Sequence, residues 1–163
     1  MIGEALAQSP ESGRRLVQAG HELGNHSYTH TRMVFNSNDF YAREIEQTDA
    51  EIRAAGQRGE ILFRPPYGKK LFGLPFYLAR TGRTSVTWGI EPESDPDTAA
   101  STDRIVADVL GDVYKGSIIL LHPWYDSGEP TRQAIRPIVQ GLRERGFELV
   151  TVSDLIAHRE MGQ

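Results

Sequence analysis

The feature that most restricts the fold of this chain is the alternation of short apolar runs with longer amphipathic segments. The clearest run, 117–121, is continuously apolar after Ser117 and is typical of a parallel strand covered on both faces. Four further short segments, near Leu23 and at 61–63, 84–88 and 147–152, are also predicted to be strands, although Leu23 is flanked by polar residues. Five strands alternating with helices predict an α/β fold with parallel strands.

Capping residues and apolar periodicity predict the helices that separate these strands. The predicted helices lie at about 10–19, 39–55, 72–79, 101–113 and between Pro130 and Gly146, with a short one opening at 153. Pro137 is expected in a first turn or at a kink. The residues expected to face the core include Leu16, Val17 and Ala19 in the first helix and Ile135, Ile138, Val139 and Leu142 in the last long one. The charged face of the second helix is interpreted as solvated, and it comprises Arg43, Glu44, Glu46, Asp49, Glu51 and Arg53.

Composition excludes several classes of protein. The 163 residues suffice for one domain with a core, so a single domain over 1–163 is expected. A formal net charge of −4 without a basic stripe argues against a nucleic-acid partner. There is no cysteine, which excludes disulfides and thiolate chemistry. No apolar run approaches the roughly 20 residues of a membrane span, and the start of the chain has no signal-peptide features.

Two histidines at 26 and 30, in the segment H-S-Y-T-H, form a candidate metal site. Imidazoles four residues apart meet on one face if the backbone makes a single helical turn. Neutral imidazole nitrogens bind zinc at about 2.0–2.1 Å, so the pair could close on one ion from one side. Taken alone, the pair is more typical of two surface histidines on a helical turn.

Three other segments also follow strand ends and strengthen this interpretation. R-P-P-Y-G at 64–68 is a stiff mount for Arg64, since each proline restricts the residue before it. An acidic tract follows Trp88, and His122 follows the run 117–121. The carboxyl ends of parallel strands are where α/β folds place their chemistry. The simpler alternatives are a rigid proline turn and a strand-end histidine bonded to backbone; His21 and His158 are interpreted as structural or exposed.

In this order, the segments resemble the polysaccharide deacetylase family, the NodB homology domain of carbohydrate esterase family 4-like enzymes. The family's metal motif has the form H-[ST]-x-x-H, which residues 26–30 match. The resemblance implies an irregular (β/α) barrel of about seven strands. Because five strands are counted here, it implies an incomplete barrel whose leading strand or strands are missing.

The resemblance also implies roles for individual residues. His26 and His30 would ligate a divalent metal, Arg64 would orient a general-base aspartate, and the Tyr67 backbone N–H would bind the oxyanion. His122 would be the general acid. The candidates for contact with the substrate are Pro66, Trp88, Leu120 and Trp124, and Leu120 and Trp88 could equally be core residues.

The acidic tract departs from the family pattern. The family has D-x-x-D-W, whose carboxylate tunes the acid histidine, whereas this chain has E-P-E-S-D-P at 91–96 with no tryptophan after it. Either Glu91 or Asp95 is expected to take that catalytic role, and both alternatives stay open. The departure affects the expected substrate more than the expected chemistry.

A second departure concerns the family's paired aspartates. In the family, a T-F-D-D-type motif on the first strand supplies the third metal ligand and the general base, and no aspartate precedes His26 in this chain. Late assignment of the start, a fragment, or a degenerate non-catalytic relative would each explain this. The first two are favoured because the later segments are nearly intact.

The resemblance therefore predicts a metal-dependent hydrolase, zinc being the expected ion, that removes N-acetyl groups from a carbohydrate. For these 163 residues alone it predicts little or no activity and weak metal binding. The alternatives are a non-catalytic carbohydrate-binding or scaffold relative and a small-amide hydrolase of the same fold. Exposed strand edges would favour a homo-oligomer. The compartment is left open, although the family is often exported or associated with the cell envelope.

Overall fold

The computed structural model describes the backbone of residues 1–161 and the side chains of residues 1–158. The chain divides into two compact units, a first unit of Met1–Thr87 and a second unit of Trp88–Gln163. Within the described residues, no helix is long and apolar enough to cross a bilayer. The single domain stays a prediction.

The first unit contains four α-helices and one short 3₁₀ turn among its described residues. They are α1 (Gly3–Gln8), α2 (Pro10–Gln18), α3 (Asn38–Ala54), the 3₁₀ turn Pro66–Gly68 and α4 (Gly73–Arg80). The second unit contains two 3₁₀ turns and four α-helices over the described range. They are the 3₁₀ turn Pro92–Ser94, α5 (Pro96–Ala99), α6 (Thr102–Asp112), the 3₁₀ turn Asp126–Gly128, α7 (Glu129–Glu144) and α8 (Val152–Met161).

Parallel pairing of extended segments is present, but as isolated bridges rather than continuous strands. In the first unit Asn25 pairs with Phe63 and Phe63 pairs with Ser85; in the second, Ile90 pairs with Ile119. The parallel direction agrees with the prediction from the sequence. No strand is assigned within 1–161, so the segment predicted at 147–152 is not a strand here and the seven-stranded barrel stays a prediction.

The core of the first unit forms between α3 and the paired segments. The predicted inner face of α3 (Tyr41, Ile45, Thr48 and Ile52) is fully buried. Two clusters make up this core: Met33, Tyr41, Ile45, Phe63, Leu74, Tyr77 and Leu78, and Leu6, Leu23, Ile52, Ala55 and Ile61. For α2 the prediction is confirmed at Val17, which packs against the second cluster, and wrong at Leu16 and Ala19, which are exposed. Gly13 lies against Leu6 instead, where an added Cβ would collide with Leu6 Cδ1.

The core of the second unit forms between α6, α7 and the Ile90–Ile119 bridge, and its buried members are Ile90, Ile105, Val109, Ala134, Ile138 and Leu142. Helix α7 starts earlier than expected, because Pro130 occupies its first turn, and Pro137 lies in its interior. The buried stripe of α7 therefore runs through Ala134 and Ile138, which leaves Ile135 39% exposed and the prediction for that residue wrong. In the run 117–121 Leu120 is buried and its neighbours are half-buried, so the run is not covered on both faces.

Candidate functional site

Two parallel segments of the first unit place His26 and Arg64 side by side. The Asn25 N–H donates to the Leu62 carbonyl at 2.8 Å, and the Arg64 N–H donates to the Asn25 carbonyl at 2.8 Å. Both His26 and Arg64 therefore follow directly from the bridge between Asn25 and Phe63. The expectation that chemistry-bearing residues gather where strands end agrees with this part of the structure.

The ring of His26 is fixed as a neutral imidazole. Its Nδ1 lies 2.7 Å from the Arg64 carbonyl oxygen. Because a carbonyl can only accept, Nδ1 carries the proton and Nε2 keeps its lone pair. Burial lowers the pKa of His26 from 6.5 to about 4, against a smaller opposing effect of the bond to Arg64. A neutral ring held at Nδ1 is the form in which histidine binds a metal.

His30 lies next to His26, although the backbone between them is not helical. The ring centroids of His26 and His30 are 4.9 Å apart at an interplanar angle of 60°, and Tyr67 lies 4.9 Å from His30. Ser27 and His30 both have left-handed backbone angles, with φ of 64° and 58°. The predicted helical turn is therefore wrong, and the rings meet through a tight loop instead.

Side chains within the loop satisfy its first and last amides. The fully buried Asn25 accepts from the Ser27 N–H at 2.9 Å through Oδ1. The Ser27 hydroxyl, also buried, accepts from the His30 N–H at 3.1 Å. Such local bonds stabilise left-handed backbone that a non-glycine residue otherwise avoids. The hydroxyl at position 27 thus binds the backbone of the second histidine.

Glu44 of α3 binds the two middle amides of the same loop. Its Oε2 accepts from the Tyr28 N–H at 3.0 Å and from the Thr29 N–H at 2.9 Å. The Thr29 hydroxyl lies 3.1 Å from each carboxylate oxygen. Glu44 is 4% exposed. The prediction that this charge belongs to a solvated face is therefore wrong.

A further polar network, formed with α3 and Arg83, binds the amide nitrogen of Asn25. Asn25 Nδ2 donates to the Ile45 carbonyl at 2.8 Å and to Asp49 Oδ1 at 2.6 Å. Arg83 forms an ion pair with Asp49, with 2.5 Å between NH2 and Oδ2. Asp49 is only half-buried, yet it links Asn25 to Arg83 and is not a simple solvated charge.

The R-P-P-Y-G segment holds the other candidates of the first unit. Pro65 and Pro66 are buried, so Pro66 is a core residue as well as a candidate for substrate contact. Burial lowers the pKa of Arg64 from its ordinary value. Tyr67 is exposed, has a left-handed φ of 59°, and lies 5.5 Å below the Arg32 guanidinium.

The histidine pair fits part of a zinc site. The donors are of the right type, since His26 is neutral with Nε2 unprotonated, and the rings lie close enough to share an ion. A catalytic zinc takes three protein ligands, and no group of three or more histidine, aspartate or glutamate side chains in the described residues is arranged to hold an ion. Within the described residues the pair therefore offers two of the three protein ligands that a catalytic zinc takes.

His122 of the second unit lies in a different environment, since its ring is bound by a carboxylate. Glu93 Oε2 lies 2.6 Å from His122 Nδ1 and accepts from the His122 N–H at 2.8 Å. The Thr131 hydroxyl of α7 donates to Glu93 Oε1. Thr131 is buried and the Glu93 side chain is largely so. This triplet occupies Nδ1 of His122, so Nε2 is the ring nitrogen that Glu93 does not bind.

The carboxylate at His122 is neither of the two that were predicted. Glu91 accepts from Trp88 Nε1 at 2.8 Å. Asp95 caps α5 by accepting from the Thr98 N–H at 2.8 Å, and its bonds to Thr98 lower its pKa. The 3₁₀ turn Pro92–Ser94 is the reason, because it directs the intervening residue 93 rather than residue 91 or 95 to the histidine.

An exposed pair of aromatic rings flanks His122. Tyr125 stacks on the imidazole at 5.7 Å and 19°, and Trp124 meets its edge at 5.6 Å and 74°. Trp124 is 60% exposed and Tyr125 is 48% exposed. Arg132 donates to the carbonyls of Pro123 and Tyr125, which fixes the loop on α7. Leu120 is a buried core residue that pairs with Ile90 through its N–H.

Sequence reasoning missed Asn25, Glu44, Glu93 and Thr131 as members of these sites. A signal was available for Asn25, since it lies directly before the first histidine of the H-S-Y-T-H segment. Glu44 lies one position before the buried Ile45, at the edge of the apolar stripe of α3. No local pattern distinguishes Glu93 from Glu91 or Asp95, because the choice depends on the turn.

Comparison with known proteins is consistent with this geometry. The family model described as "Polysaccharide deacetylase" matches residues 1–86. A chitooligosaccharide deacetylase of Bradyrhizobium sp. is 32% identical over 162 residues, covering 91% of this chain and 73% of that relative. A peptidoglycan-N-acetylglucosamine deacetylase of Bacillus cereus is 26% identical over 156 residues, covering 95% of this chain and 56% of that relative. The chain thus spans from about half to three quarters of these two relatives.

Solved structures give the same result. The family 4 carbohydrate esterase from Streptomyces lividans, solved in complex with acetate, superposes with a TM-score of 0.77 and 37% sequence identity. The match covers 88% of this chain and 72% of that one.

Proposed function

The chain belongs to the polysaccharide deacetylase family, and on that premise we propose that it serves the metal-dependent hydrolysis of N-acetyl groups on a carbohydrate. The observation that carries the proposal is the pair of neighbouring imidazoles, one of them held neutral through Nδ1 by the Arg64 carbonyl. An irregular (β/α) barrel is part of the same proposal, and the parallel direction of the three bridges supports it.

Four residues of the first unit have a role in the proposed reaction. His26 and His30 would hold a divalent ion, zinc by the chemistry of the donors, which when bound polarises the acetyl carbonyl and makes its water more acidic. The family's general base is an aspartate, which no residue before His26 supplies here, and the Arg64 guanidinium would orient that carboxylate as it takes the proton of the water. The Tyr67 N–H would donate to the acetyl oxygen as negative charge develops there.

The second unit would supply the acid. His122 would give a proton from Nε2 to the nitrogen that leaves as a free amine, while acetate is released. Glu93 would hold Nδ1 and balance the charge of the protonated ring, and Thr131 would keep the carboxylate in place. Glu93 thus takes the role that the sequence predicts for Glu91 or Asp95.

We also propose that these 163 residues alone hydrolyse slowly. Two imidazoles make an incomplete ligand set, and loss of one ligand or of a general base each costs several factors of ten in rate. The substrate would be an N-acetylglucosamine-containing oligomer or polymer, by analogy with relatives that are named for chitooligosaccharide and for peptidoglycan.

Calorimetric titration with Zn²⁺ tests the metal part of the proposal. Weak binding is expected for the unaltered chain, and His26→Ala should reduce it at least tenfold. His21→Ala is the matched control, because His21 is exposed and lies outside the pair. Binding that His26→Ala leaves unchanged would exclude the metal site.

Acetate release from chitooligosaccharide tests the chemistry. Zinc-stimulated release that is slow but lost in His122→Ala is expected, and release that is independent of both zinc and His122 would contradict the proposal. A parallel assay on a small acetamide separates a sugar deacetylase from a small-amide hydrolase.

Carbohydrate binding without turnover is the second candidate function. The exposed rings of Trp124 and Tyr125 favour it, because flat aromatic faces bind sugar rings in water. Micromolar or millimolar affinity for chitooligosaccharide with no zinc effect and no acetate would favour this function over hydrolysis.

A further inference from the structure

The proposed reaction gives no role to Glu44, although this buried carboxylate binds the loop between the two histidines. We propose that Glu44 is a positioning residue that sets the geometry of the His26–His30 pair by binding the loop between them. The inference deepens the proposed function and rests on it for its consequence, which is metal affinity. Its geometric part concerns the protein without metal and can be tested separately.

The contacts of Glu44 span the middle of the loop. The carboxylate accepts the N–H groups of Tyr28 and Thr29 at 3.0 and 2.9 Å, and the Thr29 hydroxyl lies 3.1 Å from both oxygens. All of these partners are donors, so a group that can only accept matches them fully. Successive backbone N–H groups form a concave site that favours an anion.

The loop needs such support because it is not a regular element. Ser27 and His30, which bound the segment, are in the left-handed region. Such backbone costs about 1 kcal/mol or more for a non-glycine residue and persists where surrounding contacts hold it. Asn25 and the Ser27 hydroxyl satisfy the two outer amides, and Glu44 satisfies the two inner ones.

Helix α3 makes Glu44 a rigid reference point. Tyr41, Ile45 and Ile52 on the same helix are buried at 0–1% exposure. The Thr48 hydroxyl donates to the Glu44 carbonyl at 2.9 Å, one turn further along. A carboxylate fixed to this packed helix therefore determines where the middle of the loop lies, and the loop determines the separation of the two rings.

The isosteric variant Glu44→Gln in the full 163-residue chain tests this inference. A carboxamide keeps one acceptor but turns an NH₂ group toward partners that are all donors, so at least one bond is lost. Glu46→Gln is the matched control, because Glu46 lies on α3, carries the same charge and is exposed. Urea unfolding of both variants establishes that they fold.

Two measurements follow on the folded variants. Amide hydrogen exchange at Tyr28 and Thr29, without metal, should become at least tenfold faster in Glu44→Gln and stay within twofold in Glu46→Gln. Zinc affinity should fall about 10- to 100-fold in Glu44→Gln, the range usual for residues that orient ligands, and should not change in Glu46→Gln.

The outcomes separate this inference from the proposed function. If Glu44→Gln matches Glu46→Gln in exchange, or if it lowers stability alone and leaves zinc affinity unchanged, the inference is overturned. If the unaltered chain binds no zinc, the proposed function fails, and the exchange measurement still decides whether Glu44 holds the loop.

A milder variant covers the case in which Glu44→Gln does not fold. Thr29→Ala removes the hydroxyl bond to Glu44 at an exposed position and leaves both amide bonds possible. The expected result is two- to fivefold weaker zinc binding and faster exchange at Tyr28. Unchanged values for both would overturn the inference.

Discussion

The two units hold their histidines in opposite ways. In the first, a backbone carbonyl binds Nδ1 of His26, and fully buried polar groups fix the loop. In the second, the Glu93 carboxylate binds Nδ1 of His122, and exposed aromatic rings flank the ring. A carbonyl fixes the tautomer without adding charge, which suits a ligand, whereas a carboxylate can balance the charge of a ring that gains a proton. The partner of Nδ1 thus differs between the two histidines in the way that their proposed roles require.

The largest contrast is expected from Asn25→Ala. The fully buried Asn25 side chain makes three hydrogen bonds, and its removal leaves the Ser27 N–H without this partner, whereas the Ile45 carbonyl keeps its place in the hydrogen-bond ladder of α3. Since an unsatisfied buried group costs about 1–3 kcal/mol, the free energy of unfolding should fall by about 2–3 kcal/mol in urea titration. Asn38→Ala, at an exposed position on α3, should change it by less than about 0.5 kcal/mol. Equal losses of unfolding free energy in the two variants would show that Asn25 does not stabilise the loop 26–30.

Acid should destabilise the first unit through His26. Its pKa is about 4 in the folded chain and about 6.5 when unfolded, so the unfolded chain binds more protons between these values. Stability is therefore full above pH 6.5 and is lost as the pH falls toward 4, by about 2 kcal/mol between pH 6.5 and 5. Urea unfolding of the metal-free chain and of His26→Gln measures this contribution. An NMR titration midpoint of His26 near 6.5 would contradict the neutral, buried ring.

A smaller loss of stability is expected when the hydrogen bond from Thr131 to Glu93 in the second unit is removed. Thr131→Val removes the hydroxyl that donates to Glu93 and keeps the shape of the buried side chain. The free energy of unfolding should fall by about 1 kcal/mol. Thr131→Ser keeps the hydroxyl and should recover most of the bond. A loss as large as that of Asn25→Ala would remove the contrast between the units.

The smallest effect on stability is expected at the exposed rings. Trp124→Ala should change the free energy of unfolding by less than about 0.5 kcal/mol, because the side chain is mostly in water. Binding of chitooligosaccharide, measured by calorimetry, should weaken about tenfold. Tyr114→Ala, an exposed aromatic elsewhere in the unit, should leave binding unchanged. Unchanged binding in Trp124→Ala would exclude this ring from the substrate site.

The sequence predicted most helices because their signals are local. Ser37 and Ser101 cap α3 and α6 as expected, accepting from the N–H groups of Phe40 and Arg104. Helix α1 was not predicted. The segments predicted as strands pair only through isolated bridges. Strand pairing depends on distant segments such as 25 and 63, whose register no local pattern specifies.

The sites were predictable to a similar degree. His26 and His30 lie together as expected, although through a loop and not through the helical turn on which the expectation was based. The Arg64 carbonyl lies beside them, at the end of the neighbouring extended segment. The partners that hold them come from elsewhere in the chain: Glu44 is 15 residues from Thr29, and Glu93 is 29 residues from His122. Whether a helix charge is solvated or buried depends on what loop packs against it, and this explains the error at Glu44.

The contact between His26 and residue 64 runs through the main chain, so the bond that holds the ring comes from the carbonyl and not from the guanidinium. One position thereby contributes two separable properties, a carbonyl that any amino acid supplies and a cation that arginine supplies. Substitutions at position 64 can therefore change the charge beside the histidines while the carbonyl that holds the His26 ring remains.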